Sequence, residues 1–198
     1  MCHILGEFWK QQGGEGCKTG VQLLAGIPSV VYGFFGLVVL VPFIRANLGG
    51  TGQSVLCASI VLGIMILPTI ITLSESALKA VPQTYYEGAL ALGADHERSV
   101  MRVVLPAAVS GIMASIILAI GRAIGETMAV IMVAGNQVQL PGAITEGVRT
   151  MTANIVLEMG YAADLHRGAL IGTACVLFVF ILIINFCFSA IKRRNKNG

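Results

Sequence analysis

Charge is scarce in this sequence. Asp, Glu, Lys and Arg make up only 12% of its 198 residues, whereas 56% are hydrophobic. Because soluble domains carry about 25% charged residues, the composition excludes an ordinary soluble domain and predicts an integral membrane protein. The formal net charge of +3 is spread along the chain and does not describe a nucleic-acid-binding protein.

Patterns for catalysis, metal binding and ATP binding are also missing. The histidines are isolated, and Cys2, His3 and Cys17 are too widely spread to form a recognisable zinc pattern. The stretch GGEGCKTG at 13–20 only approximates a phosphate-binding loop, because a cysteine separates its glycine from its lysine and no strand is predicted before it. The sequence therefore predicts a chain that is no enzyme and holds no metal, so energy for any work would come from a partner.

Long apolar segments dominate the chain instead. A helix needs about 20 apolar residues to cross ~30 Å of hydrocarbon, and four segments reach this length, at 21–44, 53–74, 107–134 and 169–191. They predict an all-α membrane protein with about four transmembrane helices. The remaining regions are an N-terminal tail, two long loops and a basic tail, at 1–20, 75–106, 135–168 and 192–198.

The distribution of Lys and Arg predicts the orientation of these helices. The two tails and the 75–106 loop together hold nine basic residues, whereas the opposite side holds Arg45, Arg149 and Arg167. Since basic residues accumulate on the cytoplasmic side of a membrane, both termini and the 75–106 loop are expected in the cytoplasm.

Two of the connecting segments have helical spacing of their own. In the N-terminal tail, Ile4, Leu5, Phe8 and Trp9 fall on one helical face, which allows a short interfacial helix; a disordered tail is the alternative. In the second loop, residues 145–159 predict a short helix that lies at the surface or dips back into the membrane.

Two charges, Arg122 and Glu126, interrupt the third apolar segment. A charge near the centre of a bilayer costs ~2.5–3.5 kcal/mol on insertion scales, so such residues are expected to face the protein interior or a wet path. A spacing of four places both side chains on one face of a continuous helix. One hypothesis is a path in which an anion competes with Glu126 for Arg122, and the alternative is a structural ion pair between packed helices.

Small residues and prolines predict how the helices pack and bend. Gly121 and Gly125 form a G-x-x-x-G pattern, which lets helix backbones approach closely. A second stripe of small residues lies on another face of the same helix, at Gly111, Ser115 and Ala119. Pro28 and Pro68, inside the first two segments, each remove a backbone donor and predict a kink.

The 75–106 loop has signals for two short helices. Thr84 and Glu87 fit a capping box at the start of the first one, and Gly93 is placed to end it. Asp95 can cap a second helix that is expected to end before Pro106. A capped amphipathic helix at this surface fits a hydrophobic groove on a partner protein, and a helix lying on lipid headgroups is the alternative.

The same loop resembles the EAA loop of ABC-importer permeases. Its pattern is Glu87-Gly88-Ala89, three residues, Gly93, nine residues, and then Val103-Val104-Leu105-Pro106. The family pattern has Ala at the position of Gly88 and Ile at the position of Val103. The resemblance implies that 75–106 is the coupling element that docks on an ATPase, with Glu87, Gly88, Ala89, Gly93, Leu105 and Pro106 at the matching positions.

Two further stretches, at 23–45 and 121–136, resemble phosphate-specific permeases, the second one most closely the PstC-type subunit. The resemblance covers 21–191 and implies the type I importer permease fold, also called MetI-like. It implies four partners: a PstA-type second permease, two copies of a PstB-type ATPase that hold ATP and Mg, a periplasmic PstS-type phosphate-binding protein, and lipid of a bacterial inner membrane. Arg122 and Glu126 match charged positions that the family links to phosphate passage.

The position of the EAA loop departs from the family pattern. In the family this loop lies between the fourth and fifth of six spans, whereas here it lies between the second and third, so the first two family spans are expected to be missing. The alternatives left open are a permease for another oxyanion or a phosphonate, a secondary carrier or channel, and a truncated inactive subunit.

Overall fold

The computed structural model describes the backbone of residues 14–196 and the side chains of residues 20–187. Over this part of the chain the structure is helical, with one isolated parallel bridge between Gly135 and Val148. The residues on which the predicted interfacial helix rests, from Ile4 to Trp9, lie outside the described part.

The first membrane passage is preceded by a separate helix. Helix α1 covers Gly14–Ala25, and the passage itself consists of α2 at Ser29–Phe35, a π-helical turn at Gly36–Leu40 and α3 at Val41–Leu48. Pro28 has extended backbone angles and precedes α2 as its N-cap. The predicted single span over 21–44 is therefore corrected to Ser29–Leu48, a 20-residue passage, because Pro28 separates it from α1 instead of kinking it.

The second passage is one long helix. Helix α4 covers Val55–Lys79 and keeps Pro68 inside it, where the Thr72 hydroxyl donates to the Pro68 carbonyl at 2.8 Å. The first backbone donors of α4 find carbonyls in a distant loop, since the Val55 N–H donates to the Glu146 carbonyl at 3.0 Å. The helix thus begins near the predicted residue and extends beyond the predicted end at 74.

The predicted coupling element forms the expected helices, with two corrections. Helix α5 covers Gln83–Ala91 and α6 covers His96–Ser99. The N-cap of α5 is Pro82 and makes no side-chain capping bond, so the capping box at Thr84 is wrong: the proline fixes the start of the helix two residues earlier. The second helix does not end before Pro106, because it continues through a π-helical turn at Val100–Val104 into α7 at Leu105–Ile124.

Each π-helical turn is separated from a following proline by a single residue. The N–H of Val41, next to Pro42, donates to the Gly36 carbonyl, and the N–H of Leu105, next to Pro106, donates to the Val100 carbonyl. A proline ring inside an α-helix clashes with the carbonyl four residues back. The wider turn accommodates the ring, so the helices continue through these two prolines.

The third predicted span is interrupted. Helix α7 ends at Ile124 and a short helix, α8, follows at Met128–Val133, which corrects the prediction of one helix over 107–134. After α8, helix α9 covers Met151–Met159, in the second half of the predicted 145–159 segment, and α10 covers Asp164–Lys196. Within the described residues four helical stretches are long and apolar enough to cross a membrane: Ser29–Leu48, Val55–Lys79, His96–Ile124 and Asp164–Cys187.

The chain divides into two compact units. Among the described residues, one comprises 14–26, 67–119 and 188–196, and the other comprises Ile27–Ile66 and Ile120–Cys187. In the first unit the stripe of small residues on α7 packs on α4, because Ser115 is buried and its hydroxyl lies 2.8 Å from that of Ser74.

The second unit contains the largest apolar core. This core joins α2, α3, α4 and α8 through mostly aliphatic side chains and one aromatic ring, and its buried members are Tyr32, Val41, Ile44, Cys57, Ala58, Val61, Met65, Ala129, Val130, Val133 and Ala134. The short helix α8 therefore lies inside a packed core and not at its edge.

Candidate functional site

The interruption after α7 separates the two charges predicted to share a helical face. Arg122 lies in the last turn of α7 and is exposed. The helical hydrogen bonds then fail: the Gly125 N–H reaches the Gly121 carbonyl at 3.4 Å, and the Glu126 N–H donates to the Ala123 carbonyl, only three residues back, at 3.2 Å. Since glycine destabilises helix interiors, the two glycines account for the position of the break.

Glu126 caps the next helix. Its Oε1 accepts a hydrogen bond from the N–H of Ala129, the second residue of α8, at 3.2 Å. A carboxylate at a helix N-terminus is favoured by the unpaired N–H groups and the helix dipole. Glu126 is therefore half-buried at the start of α8 and not on the same helical face as Arg122, which corrects the same-face prediction.

The structure places Gly121 and Gly125 at the break. A Cβ on Gly121 would meet the Asn185 side chain at 3.9 Å, which is ordinary contact, and one on Gly125 would meet carbonyls of its own turn at 3.8 Å. Gly121 therefore faces α10 at ordinary contact distance, and Gly125 meets only its own turn. Their predicted role in close packing against another helix stays a prediction.

Helix α8 is held by close backbone contact with α2 and its π-helical turn. A Cβ on Gly33 would lie 2.8 Å from the Cα of Ala129, and a Cβ on Gly36 would lie 2.8 Å from a methyl carbon of Val133. Ala129 and Val133 are 0% exposed. Gly33, Gly36 and the small side chain of Ala129 are thus required for the short distance between α8 and the first membrane passage.

The C-terminal end of α8 is bonded by groups from two other segments. The carbonyls of Met132 and Val133 accept from the Gln53 side chain and the Ser54 N–H, both at 3.0 Å. The Ala134 carbonyl accepts from the Val148 N–H at 2.8 Å. Because buried polar groups without a hydrogen-bond partner are costly, a six-residue helix packed against this core depends on such distant donors.

Sequence reasoning missed a polar cluster beside α8. Arg149 donates through Nε to the Asn136 carbonyl at 3.0 Å, and through Nη1 to Asn154 Oδ1 at 3.3 Å and Glu158 Oε1 at 2.7 Å. The ion pair is largely shielded, with exposed fractions of 21% for Arg149 and 19% for Glu158. A signal was present in the sequence, since Thr150 precedes an apolar run and indeed caps α9 by accepting from the Ala153 N–H at 3.2 Å.

Two titratable side chains, Tyr161 and His166, lie close to the Glu158 carboxylate. Desolvation raises the pKa of the Tyr161 phenol, and the Glu158 carboxylate raises it further as a hydrogen-bond partner and as a like charge. His166 Nε2 lies 3.7 Å from Glu158 Oε2. One oxygen of the Glu158 carboxylate therefore accepts a hydrogen bond from Arg149, and the other oxygen lies near the His166 imidazole.

The residues of the predicted coupling element lie mostly at the surface. Glu87, Gly88 and Pro106 are exposed, Leu105 is half-buried and Ala89 is buried. The exposed apolar surface of this loop includes Leu92, which is 90% exposed.

Gly93 ends α5 as predicted. It adopts a φ of 81°, its N–H donates to the Leu90 carbonyl at 2.9 Å, and the Ala94 N–H donates to the Ala89 carbonyl at 3.1 Å. These two bonds form a Schellman motif. The turn is closed further by Tyr86 and His96, whose Oη and Nδ1 atoms lie 2.7 Å apart.

The arrangement suits anion recognition better than catalysis or metal binding. Among the described residues no three His, Cys, Asp or Glu side chains are grouped to hold a metal ion. At the interruption, the Arg122 guanidinium lies near the end of α7, and the Glu126 carboxylate accepts a hydrogen bond from a backbone N–H of α8. A guanidinium presents a planar set of donors that matches oxyanions.

The fold is that of an ABC-importer permease. The chain resembles a solved structure titled "Inward facing conformations of the MetNI methionine ABC transporter", with a TM-score of 0.69, 22% identity, and coverage of 97% of this chain and 78% of that one. Together with the four apolar helices, this likeness defines an all-α membrane protein with a MetI-type fold.

The chain belongs to the family of binding-protein-dependent transport system inner membrane components, whose pattern it matches over residues 14–197. It is thus an integral inner membrane protein of a family of transport subunits. It is 42% identical over 179 residues to the probable ABC transporter permease protein YqgH of Bacillus subtilis, covering 87% of this chain and 58% of the relative.

Two phosphate transport system permease proteins named PstC are also similar. The one from Xylella fastidiosa strain Temecula1 is 38% identical over 203 residues, covering 91% of this chain and 62% of the relative. The one from Haemophilus influenzae is 33% identical over 187 residues, with 84% and 59% covered. The chain therefore spans about three fifths of the length of these relatives.

Proposed function

We propose that this chain is a permease subunit of an ATP-driven importer of inorganic phosphate, and that it lines part of the translocation path and couples that path to an ATPase. The observation that carries the proposal is the broken helix, where the exposed Arg122 lies in the last turn of α7 and the Glu126 carboxylate caps α8. Relatives that carry the name of a phosphate permease support phosphate as the substrate.

The proposed chemistry assigns different tasks to the two charges. Arg122 contacts the phosphate oxygens through its planar donors. Glu126 is a fixed negative charge beside the path that weakens binding, since a tight site would trap the anion. Its hydrogen bond from the Ala129 N–H holds the carboxylate in place while the phosphate passes.

The proposed energy source lies on partner chains. Two copies of a PstB-type ATPase hold ATP and Mg and dock on the exposed coupling loop at 75–106, which lies in the cytoplasm with both termini. A PstA-type permease completes the path, and a PstS-type protein delivers phosphate from the periplasm. ATP-driven closure of the ATPase pair moves α5 and, through the continuous α6–α7 helix, the end of α7 at Arg122.

The test is uptake of labelled phosphate by the assembled transporter. Arg122→Gln is expected to abolish uptake while the complex still assembles, because the substituted side chain lacks the charge that attracts the anion. Arg167→Gln removes an exposed charge outside the path and is the matched control. Uptake that persists in the Arg122 variant contradicts the proposal.

Three other readings are separated by simple measurements. A permease for another oxyanion or a phosphonate predicts that this anion competes with labelled phosphate at low concentration. A truncated inactive subunit predicts assembly without uptake in the unsubstituted chain, and a secondary carrier predicts that no ATPase copurifies from native membranes. Copurification of an ATPase and a second permease favours the proposal over the carrier.

A further inference from the structure

The segment at 148–158 contacts the short helix α8 on the side where that helix ends. The Val148 N–H bonds the Ala134 carbonyl, and the Arg149 Nε bonds the Asn136 carbonyl just beyond it. Asn136 itself adopts a φ of 50° and bonds back to the Ile131 carbonyl through its side chain at 2.8 Å. The exit of α8 is therefore held by a left-handed turn that Arg149 locks in place.

The same segment contacts the chain on the other side of α8. The hydroxyl of Thr152, in the first turn of α9, donates to the Glu126 carbonyl at 3.3 Å. Glu126 is the residue whose carboxylate caps α8. Arg149 thus bonds the backbone just after the six-residue helix, and Thr152, three residues along the chain from Arg149, bonds the backbone just before it.

We infer that Arg149 is a positioning residue: it holds α8 from the outer loop and so sets where the Glu126 carboxylate lies. The inference rests on the proposed function in that Glu126 borders the anion path. The Nε and Nη1 donors of Arg149 are engaged by the Asn136 carbonyl, Asn154 and Glu158, which are the bonds that a positioning role requires.

A purely structural role predicts something different. Arg149 would then only neutralise Glu158, a carboxylate that is 19% exposed and costly to leave unpaired. Under that role, removing Glu158 together with Arg149 relieves the defect, because no unpaired carboxylate is left. Under the positioning role the defect remains in the double variant, because the Arg149 bond to the Asn136 carbonyl is still missing and Glu158 takes no part in that bond.

The experiment compares Arg149→Met with the double variant Arg149→Met/Glu158→Leu in the transporter purified with its partners. Amide exchange of 128–136 is measured beside 55–66, together with KM and Vmax for phosphate uptake. Exchange of 128–136 is expected to rise in both variants. Vmax is expected to fall on the order of tenfold with a smaller change in KM, since displaced groups slow a step more than they weaken binding.

The double variant decides the question even if the single variant fails to assemble. A double variant with the exchange and Vmax of the unsubstituted protein overturns the inference. Arg149→Lys, which cannot reach all three partners, is expected to be intermediate, and Arg167→Met is the matched control without effect. If Arg122→Gln leaves uptake intact while exchange of 128–136 still rises in the Arg149 variants, the proposed function fails and the positioning role stands.

Discussion

Two short helices of this protein are held in place in opposite ways. Helix α8, with six residues, buries three of them, Ala129, Val130 and Val133, and its final carbonyls are bonded by groups as far away in sequence as Gln53, 79 positions from Met132. Helix α5, with nine residues, buries only Ala89 and is ended by its own Schellman turn at Gly93. The position of α8 therefore depends on distant segments, whereas the shape of α5 is a local property.

This difference fits the tasks proposed for the two helices. A group that borders an anion path must be held accurately, and close packing with buried hydrogen bonds provides this. A docking helix must instead present its surface to a partner, so few of its side chains are buried in its own chain. Substitutions are consequently expected to have larger effects at α8 than at α5.

The largest effect is expected from Gly33→Leu. Even a Cβ at this position would lie 2.8 Å from the Cα of Ala129, a backbone atom that cannot move without displacing α8. We expect a loss of at least about 1–3 kcal/mol of stability from overpacking, and with it the assembled transporter. The measurement is the thermal stability of the detergent-purified complex.

The matched control for that variant is Gly172→Leu. Gly172 lies in α10, is exposed, and a Cβ there has no neighbour within 4 Å among the described residues. Equal destabilisation by both substitutions would show that close packing of α2 on α8 is not the reason.

A smaller effect on stability, but a specific effect on coupling, is expected from Gly93→Pro. Proline cannot adopt a φ of 81° and has no N–H to donate to the Leu90 carbonyl, so the Schellman turn is lost. We expect the partner ATPase to hydrolyse ATP without phosphate uptake, measured as both rates in proteoliposomes. Unchanged uptake per ATP would contradict the docking role of α5.

The smallest effect is expected from Gly88→Ala, which restores the residue of the EAA pattern. A Cβ on Gly88 has no neighbour within 4 Å among the described residues, and alanine favours a helix over glycine by about 1 kcal/mol. We expect slightly higher thermal stability of the purified complex and unchanged uptake. A clear loss of uptake would mean that this position contacts the partner too closely for a methyl group.

The sequence predicted the outline of the fold well and the candidate site only in part. Hydrophobic length indicated four membrane passages, and the glycine after α5 indicated its end, because both depend on residues close in sequence. The two charges were recognised because charge is costly in a bilayer. Their supposed shared face was wrong, since periodicity assumes a continuous helix and Gly125 interrupts it.

The prolines show the same limit. The sequence predicted that the second loop helix ends before Pro106 and gave no prediction at Pro42, but the chain passes through both prolines by way of π-helical turns. Arg149 was read only as a basic residue outside the membrane, because its partners Asn136 and Glu158 are 13 and nine positions away. Thr150 indicates where α9 begins, but no local pattern indicates that Arg149 meets Asn136 and Glu158.

The sequence by itself determined that the chain is a helical membrane protein, roughly where it crosses the bilayer, and how helix α5 ends, because hydrophobic burial and glycine turns act over a few neighbouring residues. Only the tertiary structure decided that the third span breaks at Gly125, that Glu126 caps α8, and that Arg149 bonds the end of that helix. Those features exist because a six-residue helix cannot satisfy its own backbone and must take its hydrogen-bond donors from whichever distant segments the fold brings beside it.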